Sequence, residues 1–95
     1  MDVSNSKKLY DMFSCCEKLT NIMPLENWNA SKCKDFSKMF QGCRKLENIE
    51  PLKKWKVSNN ADFNKMFYRC RLINLNSLKS WNISTKTLEN MIKDS

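Results

Sequence analysis

The side chains that could do chemistry in this chain are five cysteines and ten carboxylates, because the sequence contains no histidine. Ser-His-Asp, Cys-His and HExxH sites are therefore impossible. A single glycine also excludes a Gly-rich phosphate loop. Cys16, Cys43 and Cys70 recur at a spacing of 27. A metal site would need these three thiols to lie close together. Cysteines that recur at the same position of successive copies are more typical of a small buried side chain.

Two of the carboxylates, Asp35 and Asp62, are aligned, and we expect them near helix N-termini, where negative charge is favourable. The other acidic residues follow no convergent pattern. We therefore predict no catalytic residue, no metal, no cofactor and no small-molecule substrate, and hence no enzyme. Cys15 falls outside the aligned slot, and we expect its side chain to be exposed.

The sequence also bears on the compartment. Five cysteines make an odd number, and none of them forms a CxxC pair, so we expect reduced thiols in a cytoplasmic protein. Met1-Asp2-Val3-Ser4 lacks the features of a signal peptide. No apolar run reaches the roughly 18 residues that a membrane-spanning helix needs.

The aligned cysteines belong to an internal repeat. The motif W-x-x-S begins at Trp28, Trp55 and Trp81, and Met1 takes the Trp position one period earlier. After each motif, apolar residues at i, i+3, i+4 and i+7 predict one face of an α-helix. These residues are Leu9, Met12, Phe13 and Cys16, then Phe36, Met39, Phe40 and Cys43, then Phe63, Met66, Phe67 and Cys70.

The second half of each copy has an apolar residue at every third position, and Pro24 and Pro51 exclude a regular helix there. We expect an extended segment. Its apolar residues are Leu19, Ile22 and Leu25, then Leu46, Ile49 and Leu52, then Leu72, Leu75 and Leu78. The predicted fold is an α/β repeat, a leucine-rich-repeat-type solenoid of three helix-plus-extended-segment units of about 27 residues. The single domain, 1–95, comprises units 1–27, 28–54 and 55–80, with 81–95 as a degenerate fourth copy that caps the stack.

The combination of W-x-x-S with M-F-x-x-C-x-x-L resembles the BspA-like leucine-rich repeats of bacterial surface proteins, also called DUF285, over nearly the whole chain. The resemblance implies a solenoid that binds proteins. The aligned slots of the repeat also predict structural residues. We expect Trp28, Trp55 and Trp81 to fill the core, and Asn21, Asn48 and Asn74 to form a ladder that bonds neighbouring backbones. Turn or helix-capping hydroxyls are expected at Ser4, Ser31, Ser58 and Ser84.

Charge distinguishes the copies. Residues 28–54 and 55–80 each carry a net charge of +4, whereas 1–27 carry −1 and 81–95 are neutral. Aligned slots predict rows of basic side chains along the second and third units, which we expect to contact an acidic partner or a phosphate backbone. The predicted basic rows consist of Lys38, Arg44, Lys45, Lys53, Lys54, Lys65, Arg69, Arg71 and Lys79.

The expected function is a non-enzymatic protein-binding module. A second predicted contact surface is the extended face, formed by Thr20, Met23, Glu47, Glu50, Asn74 and Asn76. A sharper hypothesis is a small bacterial or phage inhibitor that docks on a larger nucleoprotein, such as a CRISPR effector, in the manner of anti-CRISPR proteins. The alternatives are a fragment of a surface adhesin with leucine-rich repeats, and a protein that binds RNA or DNA directly with its basic rows.

Overall fold

The computed structural model describes residues 9–58 and 60–93. Its regular elements are three short 3-10 helices, Met23–Leu25, Glu50–Lys54 and Leu75–Leu78, followed by one α-helix, Thr85–Ile92. Within these described residues there is no sheet, and the sole β pairing is an isolated parallel bridge between Asp35 and Asp62. The predicted α/β solenoid of helix-plus-extended-segment units is therefore wrong.

Each segment predicted to be a helix is instead a ribbon of overlapping turns. Residues 9–16, 36–43 and 63–70 are called the first, second and third ribbons. In the second ribbon, every other residue donates its N–H to the carbonyl three residues back, as Met39 does to Phe36 at 3.2 Å. Lys38 and Gly42 have φ of 58° and 77°. Positive φ belongs to tight turns and is excluded from an α-helix.

The remaining N–H groups of the first and second ribbons bond to the next copy. In the second ribbon, Lys38 donates to the Asn64 carbonyl at 3.0 Å and Phe40 donates to the Met66 carbonyl at 2.9 Å. Half of the donors are thus satisfied across copies and half within the turn, so no helical ladder forms. The helical spacing still identified the correct side chains, because Phe36, Met39, Phe40 and Cys43 are all fully buried.

The predicted cap forms the α-helix Thr85–Ile92. The Ser84 hydroxyl accepts a hydrogen bond from the Thr87 N–H at 3.1 Å, which confirms that this serine caps a helix. Carbonyls in the last turn of a helix lack partners within it. Here the Asn90 and Met91 carbonyls accept from the Lys65 and Phe67 N–H groups of the third ribbon at 2.9 and 3.0 Å. The helix therefore closes the donor side of the ladder.

The second half of each copy is a short 3-10 helix rather than an extended segment. Pro24 and Pro51 lie in the first turn of their helices, where a missing N–H costs nothing. The Asn48 side chain accepts from the Glu50 N–H at 2.9 Å, and Asn21 and Asn74 make the same bond two residues onward. These asparagines bond within their own copies, so the predicted ladder between copies is wrong.

The shorter third copy differs from the sequence alignment at one position. Leu72, which was expected in the core, is 53% exposed, and the neighbouring Ile73 packs against the core instead. Ile73 thus takes the slot of Leu46, and the one residue by which 55–80 is shorter than 28–54 is missing directly after Ile73. Among the expected hydroxyls, Ser58 accepts from the Asn60 N–H at 3.2 Å. Ser4 lies outside the described residues, as does Met1 in its Trp position.

Aromatic columns run through the stack. Trp55 lies between Trp28 and Trp81 with ring centroids 6.4 and 6.3 Å apart and nearly parallel planes. Phe40 lies in the same way between Phe13 and Phe67, at 5.4 and 5.5 Å. The Trp55 and Trp81 indoles donate to the Leu25 and Leu52 carbonyls, which lie 30 and 29 residues earlier in the chain, at 2.9 Å. The prediction that these tryptophans fill the core is confirmed for both, while Trp28 is half-buried.

Two of the three aligned cysteines are buried as predicted, whereas Cys16 is only half-buried. Cys43 and Cys70 are buried, and their thiols donate to the Phe13 and Phe40 carbonyls at 3.1 and 2.9 Å. The neighbouring Cys70 thiol and burial raise the pKa of the Cys43 thiol well above its usual range. Cys15 is exposed, as predicted. Asp35 does not lie near a helix N-terminus. Its carboxylate accepts from the Ser37 N–H at 2.9 Å in a local turn, which corrects that expectation.

Candidate partner-binding surface

The structure places the nine residues of the predicted basic rows at the surface, where Lys65 is half-buried and the others are exposed. They fall into two groups on different elements of the repeat. One group lies on the ribbons and just after them, and consists of Lys38, Arg44, Lys45, Lys65, Arg69 and Arg71. The other lies at the end of the 3-10 helices and consists of Lys53, Lys54 and Lys79.

The ribbon group is organised around Tyr68. The Arg69 guanidinium carbon lies 5.3 Å from the centre of the tyrosine ring, and the Lys65 ammonium lies 5.5 Å from it. Cations at such distances are attracted to the face of an aromatic ring. Arg44, Arg69 and Tyr68 line a cavity of about 310 Å³ in this region, together with Cys15 and Glu17. This ribbon cavity therefore presents two guanidinium groups beside a partly exposed ring.

Two members of the second group, Lys53 and Lys54, border grooves at the corner where the tryptophans lie. One groove, of 430 Å³, separates Glu26–Ser31 from Lys54 and Lys56. The next, of 340 Å³, separates the same lysines from Ser80–Asn82. Lys56 is not part of the predicted basic rows, because the residues that align with it, Asn29 and Asn82, are uncharged. Its place directly after the repeated tryptophan could have indicated a position at this corner.

The basic groups have few acidic partners within the chain. Among residues 9–58 and 60–93 there is one ion pair, between the Lys54 ammonium and the Glu26 carboxylate at 3.4 Å. The Lys54 side chain is 73% exposed, so water screens this pair and it contributes little to stability. Of the other row residues, Lys65 aside, none forms an ion pair with a described residue. Their charge is available to a partner.

The six residues of the predicted extended face are all exposed, and three of them, Met23, Glu50 and Asn76, lie in the 3-10 helices. Two of them are committed to internal hydrogen bonds. Glu50 accepts from the Ser77 hydroxyl at 2.7 Å, and the Asn74 side chain caps the last 3-10 helix by accepting from the Asn76 N–H. Met23, which is 52% exposed, is the large apolar side chain of this face.

Two further findings concern the kind of site. In the part of the chain that the structure describes, no three His, Cys, Asp or Glu side chains converge in a way that could hold a metal ion. No helix in that part is long and apolar enough to cross a membrane.

Copies that stack in register, with buried columns that repeat and exposed side chains that differ, define an internal-repeat protein. Residues 1–95 match the family described as "Mycoplasma protein of unknown function, DUF285". The chain belongs to this family, which confirms the resemblance seen in its motifs. Comparisons with curated proteins and with solved structures find no match.

Proposed function

We propose that the protein is a non-enzymatic binding module that recognises an acidic protein surface through its two basic groups. The observation that supports this proposal is that the repeated residues and the variable residues of each copy have different environments. The residues that repeat, such as Phe40 and Trp55, are buried and bonded to neighbouring copies. The exposed residues vary, and many of those in the second and third copies are basic. These basic residues have almost no acidic partners among the described residues.

The placement of the aromatic rings favours a protein partner over a nucleic acid. Proteins that bind single strands stack bases on accessible aromatic side chains. Here Trp55 and Trp81 are 3% exposed and their indoles donate inward. Tyr68 already lies against Arg69 and Lys65. An acidic protein surface needs cations without stacking platforms, and arginine suits such a surface because its planar guanidinium binds carboxylates bidentately.

The test measures binding of a fluorescent 20-residue polyglutamate peptide by anisotropy, with a 20-nucleotide single-stranded RNA as the comparison probe. The full chain is compared with the triple variant Arg44→Glu, Arg69→Glu and Arg71→Glu, in which three exposed cations of the ribbon group are reversed. We expect the peptide affinity to fall by about tenfold or more. Because contact between charges drives binding, the affinity should also decrease with added salt.

The matched control, Lys18→Glu, Lys86→Glu and Lys93→Glu, makes the same change in net charge at exposed lysines outside the basic rows. It should bind the peptide almost as the unmodified chain does. An equal loss of peptide affinity in the two triple variants would show that net charge alone determines binding. That result would contradict a defined binding surface. Tighter binding of the RNA than of the peptide would favour the nucleic-acid alternative.

The narrower hypotheses stay predictions. An inhibitor of a nucleoprotein such as a CRISPR effector should co-purify with it and abolish target cleavage, and unchanged cleavage at excess protein would exclude that role. The adhesin alternative predicts that the gene encodes an export signal and further repeats.

A further inference from the structure

The ribbon cavity lies where the left-handed turn positions at the ends of the three ribbons stack. These positions are Cys15, Gly42 and Arg69, with φ of 62°, 77° and 66°, and all three line the cavity. Gly42 is the single glycine of the chain, and because it has no side chain it leaves a gap in this column. A Cβ there would lie 3.5 Å from the Cys15 Sγ. The Cys15 thiol therefore borders the gap directly.

Two guanidinium groups line the same cavity. Arg69 is held against Tyr68, with its guanidinium carbon 5.3 Å from the ring centre, and Arg44 is the second cation of the lining. Glu17 supplies the carboxylate of the lining, but neither arginine forms an ion pair with it or with another described residue. The lining therefore carries a net positive charge, and its guanidinium groups can each bind a carboxylate of a ligand with two hydrogen bonds.

A hydrogen-bond acceptor without a partner belongs to the same lining. The Gln41 Oε1 is buried and receives no hydrogen bond from a described residue. A buried polar atom without a partner is costly, so a ligand that donates an N–H group to this oxygen would stabilise the site. The cavity thus combines a thiol, cations suited to a carboxylate and an acceptor suited to an amide N–H. A small cysteine-containing peptide carries the complementary groups.

Cys15 is the thiol that a reagent in this cavity can reach. Its side chain is exposed, whereas Cys16 is half-buried and Cys33, Cys43 and Cys70 are buried. Burial raises the pKa of the Cys16 thiol, which lowers the thiolate fraction of Cys16 at neutral pH. Because the thiolate is the form that attacks a disulfide, exchange should select Cys15 over its neighbour.

We propose that the ribbon cavity is a modification site at which Cys15 forms a mixed disulfide with a small peptide disulfide that carries carboxylates. The Cys15 sulfur bonds to one sulfur of the incoming disulfide, and the original S–S bond breaks. The other half leaves as a thiolate and takes up a proton, which balances the proton that Cys15 loses. Cys15 is thereby oxidised and the incoming disulfide is the oxidant. Arg44 and Arg69 bind the carboxylates of the reagent and hold its S–S bond beside the thiol. The reaction does not depend on the acidic protein partner proposed above.

The test uses two probes that differ in charge, N,N′-diacetylcystine, which carries carboxylates, and its diamide, which is neutral. Both probes carry amide N–H groups. The rate of mixed-disulfide formation at Cys15 of the full chain is measured at neutral pH and low salt by mass spectrometry with peptide mapping. The ratio of the two rates is compared between variants, so the intrinsic reactivity of each probe cancels. We expect this ratio to fall by about tenfold in the double variant Arg44→Gln and Arg69→Gln.

The matched control, Lys86→Gln and Lys93→Gln, makes the same change in net charge at exposed lysines that do not line the cavity, and it should leave the ratio almost unchanged. Cys15→Ser should abolish the rapid adduct. An unchanged ratio in the arginine variant would overturn the proposal, and so would an equal fall in the lysine variant, because net charge alone would then explain the preference. Rapid adduct formation that persists in Cys15→Ser would assign the reaction to another thiol and overturn it as well.

Discussion

The first and second ribbons occupy matching positions in the repeat but differ in their surroundings. Phe40 in the second ribbon has a stacked ring on each side, whereas Phe13 in the first has one stacked phenylalanine. All four apolar slots of the second ribbon are fully buried, and in the first ribbon Met12, Phe13 and Cys16 are only partly covered. The sequence pattern is the same, so burial at each slot depends on the copy that stacks against it. Repeat proteins owe their stability to such interfaces between neighbours.

The largest expected difference concerns the phenylalanine column. Phe40→Ala should lower the free energy of unfolding by about 3–5 kcal/mol, because it opens a cavity between two copies. Phe13→Ala should lower it by roughly half as much, since that ring is already partly hydrated. Urea unfolding followed by tryptophan fluorescence measures both. Equal losses would show that the first ribbon is packed as tightly as the second.

The tryptophan column allows a tryptophan with an indole hydrogen bond to be compared with one that lacks it among the described residues. Trp55→Phe removes the indole donor and leaves the buried Leu25 carbonyl without a partner, which should cost about 1–3 kcal/mol. Trp28→Phe should cost less, because the Trp28 indole makes no hydrogen bond to a described residue. The same unfolding assay, with circular dichroism as the signal, gives the two values. A Trp28→Phe loss that matches Trp55→Phe would contradict the role of the carbonyl bond.

Substitutions at the left-handed turn positions should change the free energy of unfolding by a smaller amount, and with opposite sign in the two ribbons. Gly42 has φ of 77°, and a Cβ there would lie 3.4 Å from the Cys15 Cα, so Gly42→Ala should destabilise the protein by about 1 kcal/mol. Cys15 holds the matching position with φ of 62°. Cys15→Gly should stabilise by about 0.5 kcal/mol, because glycine adopts this conformation without steric cost. Thermal unfolding of both variants checks the signs, and a stabilising Gly42→Ala would remove the strain argument.

The cysteines of the first and second ribbons should differ in their reactivity, with little effect on the free energy of unfolding near neutral pH. The exposed Cys15 should react rapidly with a disulfide reagent, whereas buried Cys43 should react only as the protein opens. Because the folded state raises the pKa of Cys43, its contribution to stability is present below the ordinary value of 9.0 and is lost as the pH rises above it. Urea midpoints from pH 7.5 to 10 should therefore decline less in Cys43→Ala than in Cys15→Ala.

Much of the packing could be predicted from the sequence. The slots of Phe36, Met39, Phe40 and Cys43 were expected to be buried, and they are. Copy boundaries follow from the repeated tryptophan, and the stacked rings of Trp28, Trp55 and Trp81 agree with them. The basic rows were expected at the surface, and eight of the nine are exposed. These predictions depend on residue type and spacing alone, because type and spacing decide which side chains are buried.

Other features could not be read from the chain. The position of Leu72 depended on where a one-residue deletion is absorbed, and the exposed Leu72 and packed Ile73 are equally apolar. The asparagines at 21, 48 and 74 bond within their own copies because a side chain this short reaches the N–H two residues onward. The split of the basic residues into two groups depended on the path of the backbone between ribbon and 3-10 helix, which charge patterning does not specify.

The sequence by itself determined the repeat, the family and the set of side chains that face inward. Tertiary structure decided the backbone conformation. Apolar spacing of i, i+3, i+4 and i+7 suits both an α-helix and a ribbon of turns, since both place these residues on one side. What separates them is the partner of every other N–H group, which in a helix lies four residues back and here lies in the next copy. Residues 85–92 instead form a helix with its own internal bonds, and the Asn90 and Met91 carbonyls at its end accept from the third ribbon.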